Sequence, residues 1–396
     1  MRSVELFAGA GGLAMGMSNS GFHHAAVVEW DHDACETFRE NQRHHLRSME
    51  EWPLYEGDVT AFDYSKLDDI VVVSGGPPCQ PFSLGGKHRG QLDQRDMFPE
   101  AVRAIRELRP RAFIFENVKG LMRETFASYF EYIHLQLTHP SFTRRKMETW
   151  REHRSRLERH HTSRRDRAEY HVVFRLLNAA NYGVPQRRER VFLVGFRTDL
   201  GVEWSFPEGS HSEDALLRSQ WITGEYWERH RVAKRERPKL TNRQSSRIER
   251  LRGNYLFDGE KLPWLTVRDA IGELPDPEEK PKNGIANHTF NPGARTYPGH
   301  TGSPLDEPAK TLKAGDHGVP GGENMLARVD GSVRYFSVRE AARLQTFPDD
   351  YIFRGAWTEA MRQLGNAVPV RLAQAIGESV AGALRGTETA SNKRTS

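Results

Sequence analysis

Short apolar runs alternate with amphipathic or glycine-rich segments through residue 203. The run at residues 70–74, Ile-Val-Val-Val-Ser, is typical of a strand buried in a parallel sheet. Amphipathic patterns predict one helix after a glycine-rich turn at residues 9–12 and another over residues 97–108. This alternation predicts a doubly wound α/β domain over residues 1–203. Further strands are predicted at residues 3–7, 25–28, 112–115, 171–177 and 191–195.

The alternation stops at Trp204, where prolines, glycines, charges and scattered aromatic residues replace it. Only residues 267–274 form a clear helical pattern there, so residues 204–335 are predicted to be a second, smaller and irregular domain. Beyond it, Ser337 and Glu340 form the pattern of a helix-capping box. A final amphipathic helix is predicted to end near Leu384, before a disordered tail. We therefore expect residues 336–396 to be a hinge and a helix that return to the first domain.

Composition and charge exclude some classes of protein. No run approaches the eighteen or so apolar residues that a membrane span requires. The first predicted strand begins almost at Met1, which leaves no room for a signal peptide. Two cysteines without a CxxC pattern make neither a disulfide framework nor a zinc site, so no metal is expected and a reducing cytoplasm fits. A net charge of +4 and a pI of about 9.0 permit a polyanionic partner without requiring one.

A basic segment at residues 141–169 interrupts the first domain. Arginine and lysine crowd this segment, and apolar residues are few. Such a pattern favours a solvated helical excursion, and contact with a nucleic-acid backbone is the less favoured alternative.

A single cysteine lies in the hexapeptide Gly75-Gly76-Pro77-Pro78-Cys79-Gln80, which follows the predicted strand at residues 70–74. Two glycines allow a sharp turn, and Pro77 and Pro78 fix the backbone before Cys79. This places the thiol at the carboxyl edge of the sheet, where α/β proteins bind ligands. Cys79 is therefore a candidate nucleophile, and a small buried apolar residue is the alternative.

The glycine-rich turn after the first strand is typical of a nucleotide site. Gly9, Gly11 and Gly12 let a ligand approach the backbone at the start of a helix. Glu29 ends the next strand, where an acidic residue usually hydrogen-bonds ribose hydroxyls, and Asp58 ends a third. On these residues alone, an NAD site remains an alternative.

Three further features lie at predicted strand ends or loops. Residues 80–90 are polar, basic and glycine-rich, as a mobile loop that meets phosphate would be. Glu116 follows a predicted strand and is a candidate general acid, with helix N-capping as the alternative. Arg188 and Arg190 point to the same side if the chain is extended there, so both could clamp a carbonyl or a phosphate.

Taken together and in order, these motifs closely resemble those of the bacterial restriction-modification type of DNA (cytosine-5) methyltransferase. The resemblance covers nearly all of the first domain and carries little beyond Thr311-Leu312 within residues 205–335. The matching motifs are Phe7-Ala8-Gly9-x-Gly11-Gly12, Glu29-Trp30-Asp31, Gly57-Asp58, Pro77-Pro78-Cys79-Gln80, Glu116-Asn117-Val118, Gln186-x-Arg188-x-Arg190, residues 339–345 and Gly365-Asn366-Ala367-Val368.

The resemblance implies an S-adenosylmethionine-dependent, Rossmann-like catalytic domain and a target-recognition domain. It implies that Cys79 adds to carbon 6 of a flipped-out cytosine, that Glu116 contacts ring nitrogen 3, that Arg188 binds the carbonyl oxygen and that Arg190 braces Glu116. Cationic surroundings are expected to favour the Cys79 thiolate. The residues expected to bind the donor are Phe7, Gly9, Gly11, Gly12, Glu29, Trp30, Asp58, Pro78, Met97, Asn366 and Ala367. Those expected to contact double-stranded DNA are Gln80, Ser83, Lys87, Arg89 and Thr311.

Three rival functions remain for comparison. An NAD enzyme would not use Cys79, Glu116 and Arg188 together. The related tRNA methyltransferases carry a Cys-Phe-Thr signature in the recognition region, and this chain has no cysteine after Cys79. A catalytically silent DNA-binding relative would be expected to lack Cys79 or Glu116. The resemblance further implies a monomer acting on the bacterial nucleoid in the cytoplasm, with a restriction endonuclease encoded separately.

Overall fold

The computed structural model describes residues 1–44, 49, 51–79, 96–163, 167–253, 261–280, 284–314 and 324–395, with side chains as far as residue 387. The chain divides into two compact units. The first contains Met1–Leu177, Glu189–Pro207 and Ala373–Ser396, and the second contains Asn178–Arg188 and Glu208–Leu372. The second unit thus extends to Leu372, whereas the sequence predicted a boundary at residue 335, followed by a hinge and a C-terminal helix that returns to the first domain.

A seven-stranded sheet forms the centre of the first unit. Its strand order is β3-β2-β1-β4-β5-β7-β6. Strands β1 to β5 pair in parallel, and β7 pairs antiparallel with β5, so the sheet is mixed. The strands are β1 Arg2–Leu6, β2 His23–Glu29, β3 Leu54–Glu56, β4 Val72–Gly75, β5 Ala112–Val118, β6 Tyr170–Asn178 and β7 Glu189–Arg197.

Helices cover this sheet and complete the α/β domain that the sequence predicted. Their apolar faces and the central strands share one buried cluster, which includes Val73, Phe98, Phe113 and Leu193. Gly75 is required at the end of β4, because a Cβ there would lie 2.3 Å from the carbonyl oxygen of Leu6 on β1. The helices of this unit are α1 Gly12–Asn19, α2 His32–Arg43, α3 Phe98–Leu108, α4 Ala127–Thr138 and α5 Trp150–His161.

The basic segment is helical, as predicted, but it is more than a solvated excursion. Helix α5 buries His153 and Leu157, which lie one turn apart on the same face. Leu157 packs against Tyr132 and Leu135 of α4 in a small cluster of its own. The arginine-rich composition hid this narrow apolar face, and the segment is therefore an ordered helical hairpin with α4.

The second unit contains more regular structure than the sequence indicated. Three helices before residue 254 were not predicted, because α6 and α7 are too short to show periodicity and the longer α8 is strongly polar. A separate cluster that includes Tyr226, Trp227 and Trp264 forms part of its core. The elements are β8 His211–Ser212, β9 Leu262–Pro263, β10 Ser303–Pro304, β11 Met325–Ala327, β12 Val333–Tyr335, α6 Glu213–Arg218, α7 Glu225–Arg229, α8 Asn242–Gly253, α9 Val267–Ile271, α10 Val338–Leu344 and α11 Trp357–Asn366.

The predicted capping box of α10 is confirmed. Ser337 Oγ accepts from the amide of Glu340, and the Glu340 carboxylate accepts from the amide of Ser337. The last helix, α12, covers Val370–Thr395, so the prediction of a disordered tail from Arg385 was wrong. Once a helix is nucleated, each added residue gains one hydrogen bond, which explains why the helix continues into a polar segment. Among the described residues, no helix combines the length and apolarity needed to cross a bilayer.

Candidate active site

Cys79 ends a rigid turn at the carboxyl edge of the first unit's sheet. The carbonyl of Pro77 accepts from Asn117 Nδ2 at 2.8 Å, and that of Pro78 accepts from the amide of Met97 at 2.9 Å. The Cys79 side chain is 6% exposed and packs with the main core. The expected position at the sheet edge is observed, although the side chain is more buried than the sequence suggested.

The charge environment of Cys79 differs from the predicted one. Burial raises the pKa of the Cys79 thiol far above its usual range, and the nearby Asp96 carboxylate raises it further. Among the described residues no cation opposes these effects, and because residues 80–95 lie outside the described residues, the expectation of cationic surroundings stays a prediction. Burial and Asp96 therefore both favour the protonated thiol in this state.

Glu116 lies beside the Cys79 turn and forms an ion pair with Arg190. Strand β5 continues through Glu116 to Val118, so Glu116 is a strand residue and the N-cap alternative was wrong. Val118 is opposite Arg190 in the antiparallel pair β5–β7, and Arg190 Nε lies 2.9 Å from Glu116 Oε1. The other carboxylate oxygen lies 3.4 Å from the position of a Cβ on Gly76. One carboxylate, one guanidinium and the thiol-bearing turn therefore meet at this edge.

Arg188 has a different environment from Arg190. It is fully buried within the second unit, where its terminal nitrogens donate to the carbonyls of Leu312 at 3.1 Å and Gly365 at 2.6 Å. Strand β7 begins only at Glu189, so strand alternation does not apply to Arg188. The condition that the chain be extended from Arg188 to Arg190 is therefore not met. In this state Arg188 donates to backbone carbonyls of the second unit, and its contact with the cytosine carbonyl stays a prediction.

Sequence reasoning missed Asp96 and Tyr129. The Tyr129 hydroxyl of α4 donates to the Asp96 carboxylate, and Asp96 acts electrostatically on Cys79. Burial and Asp96 both raise the pKa of Tyr129, so this hydroxyl stays protonated and remains a donor. An acidic residue that ends a loop has no sequence signal of its own, and only the fold brings the two residues together.

The glycine-rich turn has the backbone shape that a bound nucleotide requires. Gly9 and Gly11 have positive φ angles of 53° and 78°, and α1 begins at Gly12. A Cβ on Gly9 would meet nothing within 4 Å, so open space lies beside the turn. Trp30 is 77% exposed, which leaves its indole face available for an adenine ring.

Glu29 shapes this turn. Its Oε2 accepts from the amide of Gly9 at 2.6 Å, and its Oε1 accepts from the amides of Trp30 at 2.9 Å and Asp31 at 2.8 Å. Burial still raises the pKa of Glu29. Because each carboxylate oxygen has two lone pairs, these bonds are compatible with the predicted ribose contact.

The other predicted donor-binding residues are placed as follows. Phe7 has a φ of 56° and is half-buried against the core, and Asp58 caps the turn at residues 59–61 through the amide of Thr60. In the second unit, Asn366 ends α11 and Ala367 is buried. A donor contact of these residues stays a prediction, as it does for Pro78 and Met97 beside Cys79.

Four of the predicted DNA contacts, Gln80, Ser83, Lys87 and Arg89, lie outside the described residues. Within the second unit, the hydroxyl of Thr311 donates to the backbone carbonyl of Arg187 at 2.7 Å. Its contact with DNA stays a prediction. Across the described part of the chain, no three His, Cys, Asp or Glu side chains are grouped as metal ligands.

Comparison with known proteins agrees with this geometry. The family model of the C-5 cytosine-specific DNA methylases matches residues 1–142 and 151–382. The Type II methyltransferase M.Eco47II of Escherichia coli is 31% identical over 384 residues, which cover 95% of this chain and 78% of that protein. M.NgoMIV of Neisseria gonorrhoeae, also a Type II methyltransferase, is 28% identical over 392 residues. These cover 97% of this chain and 98% of that protein.

Among solved structures, a putative DNA modification methyltransferase encoded within an E. coli prophage superimposes with a TM-score of 0.59 at 21% identity, covering 97% of this chain and 99% of that one. This likeness supports the fold. The chain belongs to the C-5 cytosine-specific DNA methylase family and is an enzyme that transfers a methyl group from S-adenosylmethionine to carbon 5 of cytosine in DNA. The family predicted from the ordered motifs is confirmed.

Proposed function

We propose that this enzyme methylates cytosine through a covalent bond between Cys79 and carbon 6 of the base. Carbon 5 of cytosine is too weak a nucleophile to take a methyl group unaided. When the Cys79 thiolate adds to carbon 6, the electron pair of the 5,6 double bond becomes available at carbon 5. After methylation, carbon 5 loses its proton and the sulfur–carbon bond breaks, which regenerates Cys79.

The observation that carries this proposal is the position of Glu116 between Arg190 and the Cys79 turn. A carboxyl group there can share a proton with ring nitrogen 3, which draws electrons from carbon 6 and favours thiolate attack. Arg190 keeps Glu116 oriented. Its Nη1 donates to the carbonyl of Glu189, and the contact with the cytosine carbonyl oxygen stays a prediction for Arg188.

We further propose that the glycine-rich turn holds the methyl donor. Trp30 would stack on the adenine, Glu29 would accept from the ribose hydroxyls, and the turn at Gly9–Gly11 would receive the amino-acid end of the donor. When bound there, S-adenosylmethionine supplies an electrophilic methyl group. The residues of this chain bind and orient it at the same sheet edge as Cys79.

The target carbon cannot be reached within a duplex, so the base is expected to leave the helix at a cost of about a few kcal/mol. We propose that the second unit reads the target sequence. The relatives named as Type II methyltransferases suggest a role in protecting host DNA in the bacterial cytoplasm, beside a separately encoded endonuclease. We expect a monomer, because one chain modifies one strand at a time.

Bisulfite sequencing of plasmid DNA from cells that express the chain tests the activity. We expect protected cytosines in one short repeated context, and none with Cys79→Ala. Complete conversion with soluble wild-type protein would contradict the proposal and would direct attention to tRNA.

A duplex with 5-fluorocytosine at the protected position tests the covalent step, because fluorine cannot leave as a proton does. We expect a complex that survives denaturation with the wild type and none with Cys79→Ala. A denaturation-stable complex with Cys79→Ala would refute the assignment of the nucleophile.

A further inference from the structure

The helical hairpin of the first unit carries a surface that the catalytic mechanism does not use. We call residues 139–163 the arm; it contains the loop after α4 and the whole of α5. The family model has a gap at residues 143–150, inside the arm. This part of the arm is therefore outside the pattern that defines the family.

The arm has a fixed shape. Thr149 and Glu152 form a capping box at the start of α5. The buried imidazole of His153 bonds the Tyr132 hydroxyl at 2.9 Å through Nδ1 and the carbonyl of Phe142 at 2.9 Å through Nε2. The loop is therefore attached to both helices, which holds the backbone that carries the exposed side chains.

The arm presents positive charge that its own carboxylates do not neutralise. Residues 141–163 contain seven arginines and lysines but only three glutamates. Each glutamate already has a partner within the arm. Glu148 forms an ion pair with Arg156, and Glu158 forms one with Arg154. Glu152 accepts from the amide of Thr149 in the capping box. Within the part of the chain that the structure describes, none of the exposed cations takes part in an ion pair. These are Arg144, Arg145, Lys146, Arg151 and Arg159.

An apolar side chain stands among these charges. Met147 is 93% exposed and has a φ of 68°, a conformation that residues other than glycine rarely adopt. A single exposed apolar side chain is common on protein surfaces, and what distinguishes Met147 is its position directly after three cations, Arg144, Arg145 and Lys146. Proteins that bind the minor groove often place an apolar side chain such as methionine in the groove, together with arginine and lysine residues.

The arm also lies next to the reaction centre. The Trp150 ring packs against Tyr129 with their centroids 5.5 Å apart. Tyr129 in turn donates to Asp96, which acts on Cys79. Two side chains, Tyr129 and Asp96, thus connect Trp150 of the arm to Cys79.

We propose that the arm is an accessory DNA-binding surface, on which the exposed cations contact backbone phosphates beside the target site and Met147 contacts the minor groove. This inference rests on the proposed delivery of a duplex cytosine to Cys79. The contact is independent of sequence, because phosphates carry no base information. It should raise the affinity for all duplex DNA and leave the choice of target unchanged.

The test is the salt dependence of binding to a fluorescent duplex of random sequence, measured by anisotropy. Each lost phosphate contact lowers the magnitude of the slope of log K against log salt by about 0.9. We therefore expect Arg145→Gln with Lys146→Gln to reduce the slope by roughly 2 and the affinity roughly five- to tenfold. Arg151→Gln with Arg159→Gln on α5 should act similarly, and Met147→Ser should weaken binding without changing the slope.

The matched control is Arg43→Gln with Lys66→Gln. It removes two exposed cations of the first unit that lie outside the arm, Arg43 at the end of α2 and Lys66 in the turn at residues 64–66, and it should leave both slope and affinity unchanged. The proposal is overturned if both arm variants bind duplex DNA with the wild-type affinity and slope, or if the control variant loses as much affinity as the arm variants do. It is also overturned if the arm variants lose affinity for a double-stranded RNA probe but not for duplex DNA. Because this probe needs no recognition site, the result is independent of whether methylation is detected.

Discussion

Arg190 and Glu116 form an ion pair across two neighbouring antiparallel strands, with 2.9 Å between Nε and Oε1. The two side chains are only 12% and 9% exposed, so water screens their interaction weakly. This pair fixes the orientation of the carboxyl group that faces the Cys79 turn. Arg188 of the same motif instead donates to backbone carbonyls of Leu312 and Gly365.

Replacing Arg190 by glutamine should lower kcat by about 10² to 10³, as the loss of a charge-assisted donor at a reaction centre usually does. The KM for DNA should change little. Single-turnover methylation measures the effect. Lys119→Gln is the matched control, because Lys119 forms an exposed ion pair with Glu189 on the same strand and should stay within about twofold of the wild type. Equal losses in both variants would contradict the role of Arg190.

Asp96→Asn should make Cys79 more reactive in the absence of DNA. Burial is the main cause of the raised pKa of Cys79, and the Asp96 carboxylate adds to it, so removing that charge lowers the pKa and enlarges the thiolate fraction at pH 8. Alkylation followed by peptide mass spectrometry should show a several-fold faster rate at Cys79. Cys35 is the internal control: burial raises its pKa to about 12, and its rate should not change. An unchanged rate at Cys79 would exclude this influence of Asp96.

Trp30→Ala should weaken donor binding by about tenfold or more, because stacking of a base on an aromatic ring contributes roughly 1–3 kcal/mol. Calorimetry with S-adenosylmethionine in the absence of DNA measures this directly. Phe174→Ala, at another exposed ring of the same unit, should leave the affinity unchanged. If Trp30→Ala bound the donor normally, the adenine would have to lie elsewhere.

Glu5→Gln should stabilise the enzyme increasingly as the pH rises. Burial raises the pKa of Glu5 to about 8, although the bond from Ser74 opposes this. Between its ordinary pKa and pH 8 the folded state keeps a proton that the unfolded state has released, so stability falls as the pH rises, by roughly 1.4 kcal/mol per pH unit at most. Glutamine does not titrate. The gain in Tm should be smallest near pH 5 and largest at pH 8, and the exposed Glu124→Gln control should show no such trend.

Gly365→Ala should destabilise the second unit by about 2–4 kcal/mol, since a Cβ there would lie 2.3 Å from the amide nitrogen of Ala314. The same backbone carries the carbonyl that Arg188 binds. Gly382→Ala in α12, where a Cβ meets nothing within 4 Å, should instead stabilise by up to about 1 kcal/mol. Thermal unfolding compares the two variants, and similar shifts would show that close packing at Gly365 is unimportant.

Much of the first unit and of its site was predictable from short-range pattern. The apolar runs located β1, β2, β4 and β5, and the Gly-Gly-Pro-Pro sequence placed Cys79 after β4. These predictions succeed because strand periodicity and turn chemistry are properties of neighbouring residues. The second unit was less predictable, since its short polar helices around Tyr226 and Trp227 depend on a local core and carry little periodicity.

The sequence by itself determined the family, the order of the motifs and the candidate nucleophile, because each depends on residue types at close spacing. The tertiary structure alone decided that Arg190 pairs with Glu116 while Arg188 is buried in the other unit. It also brought Asp96 to Tyr129 and packed the basic α5 onto α4. Each of these contacts joins residues far apart in the chain, and side-chain burial and charge pairing at such distances are set by the packing of whole elements.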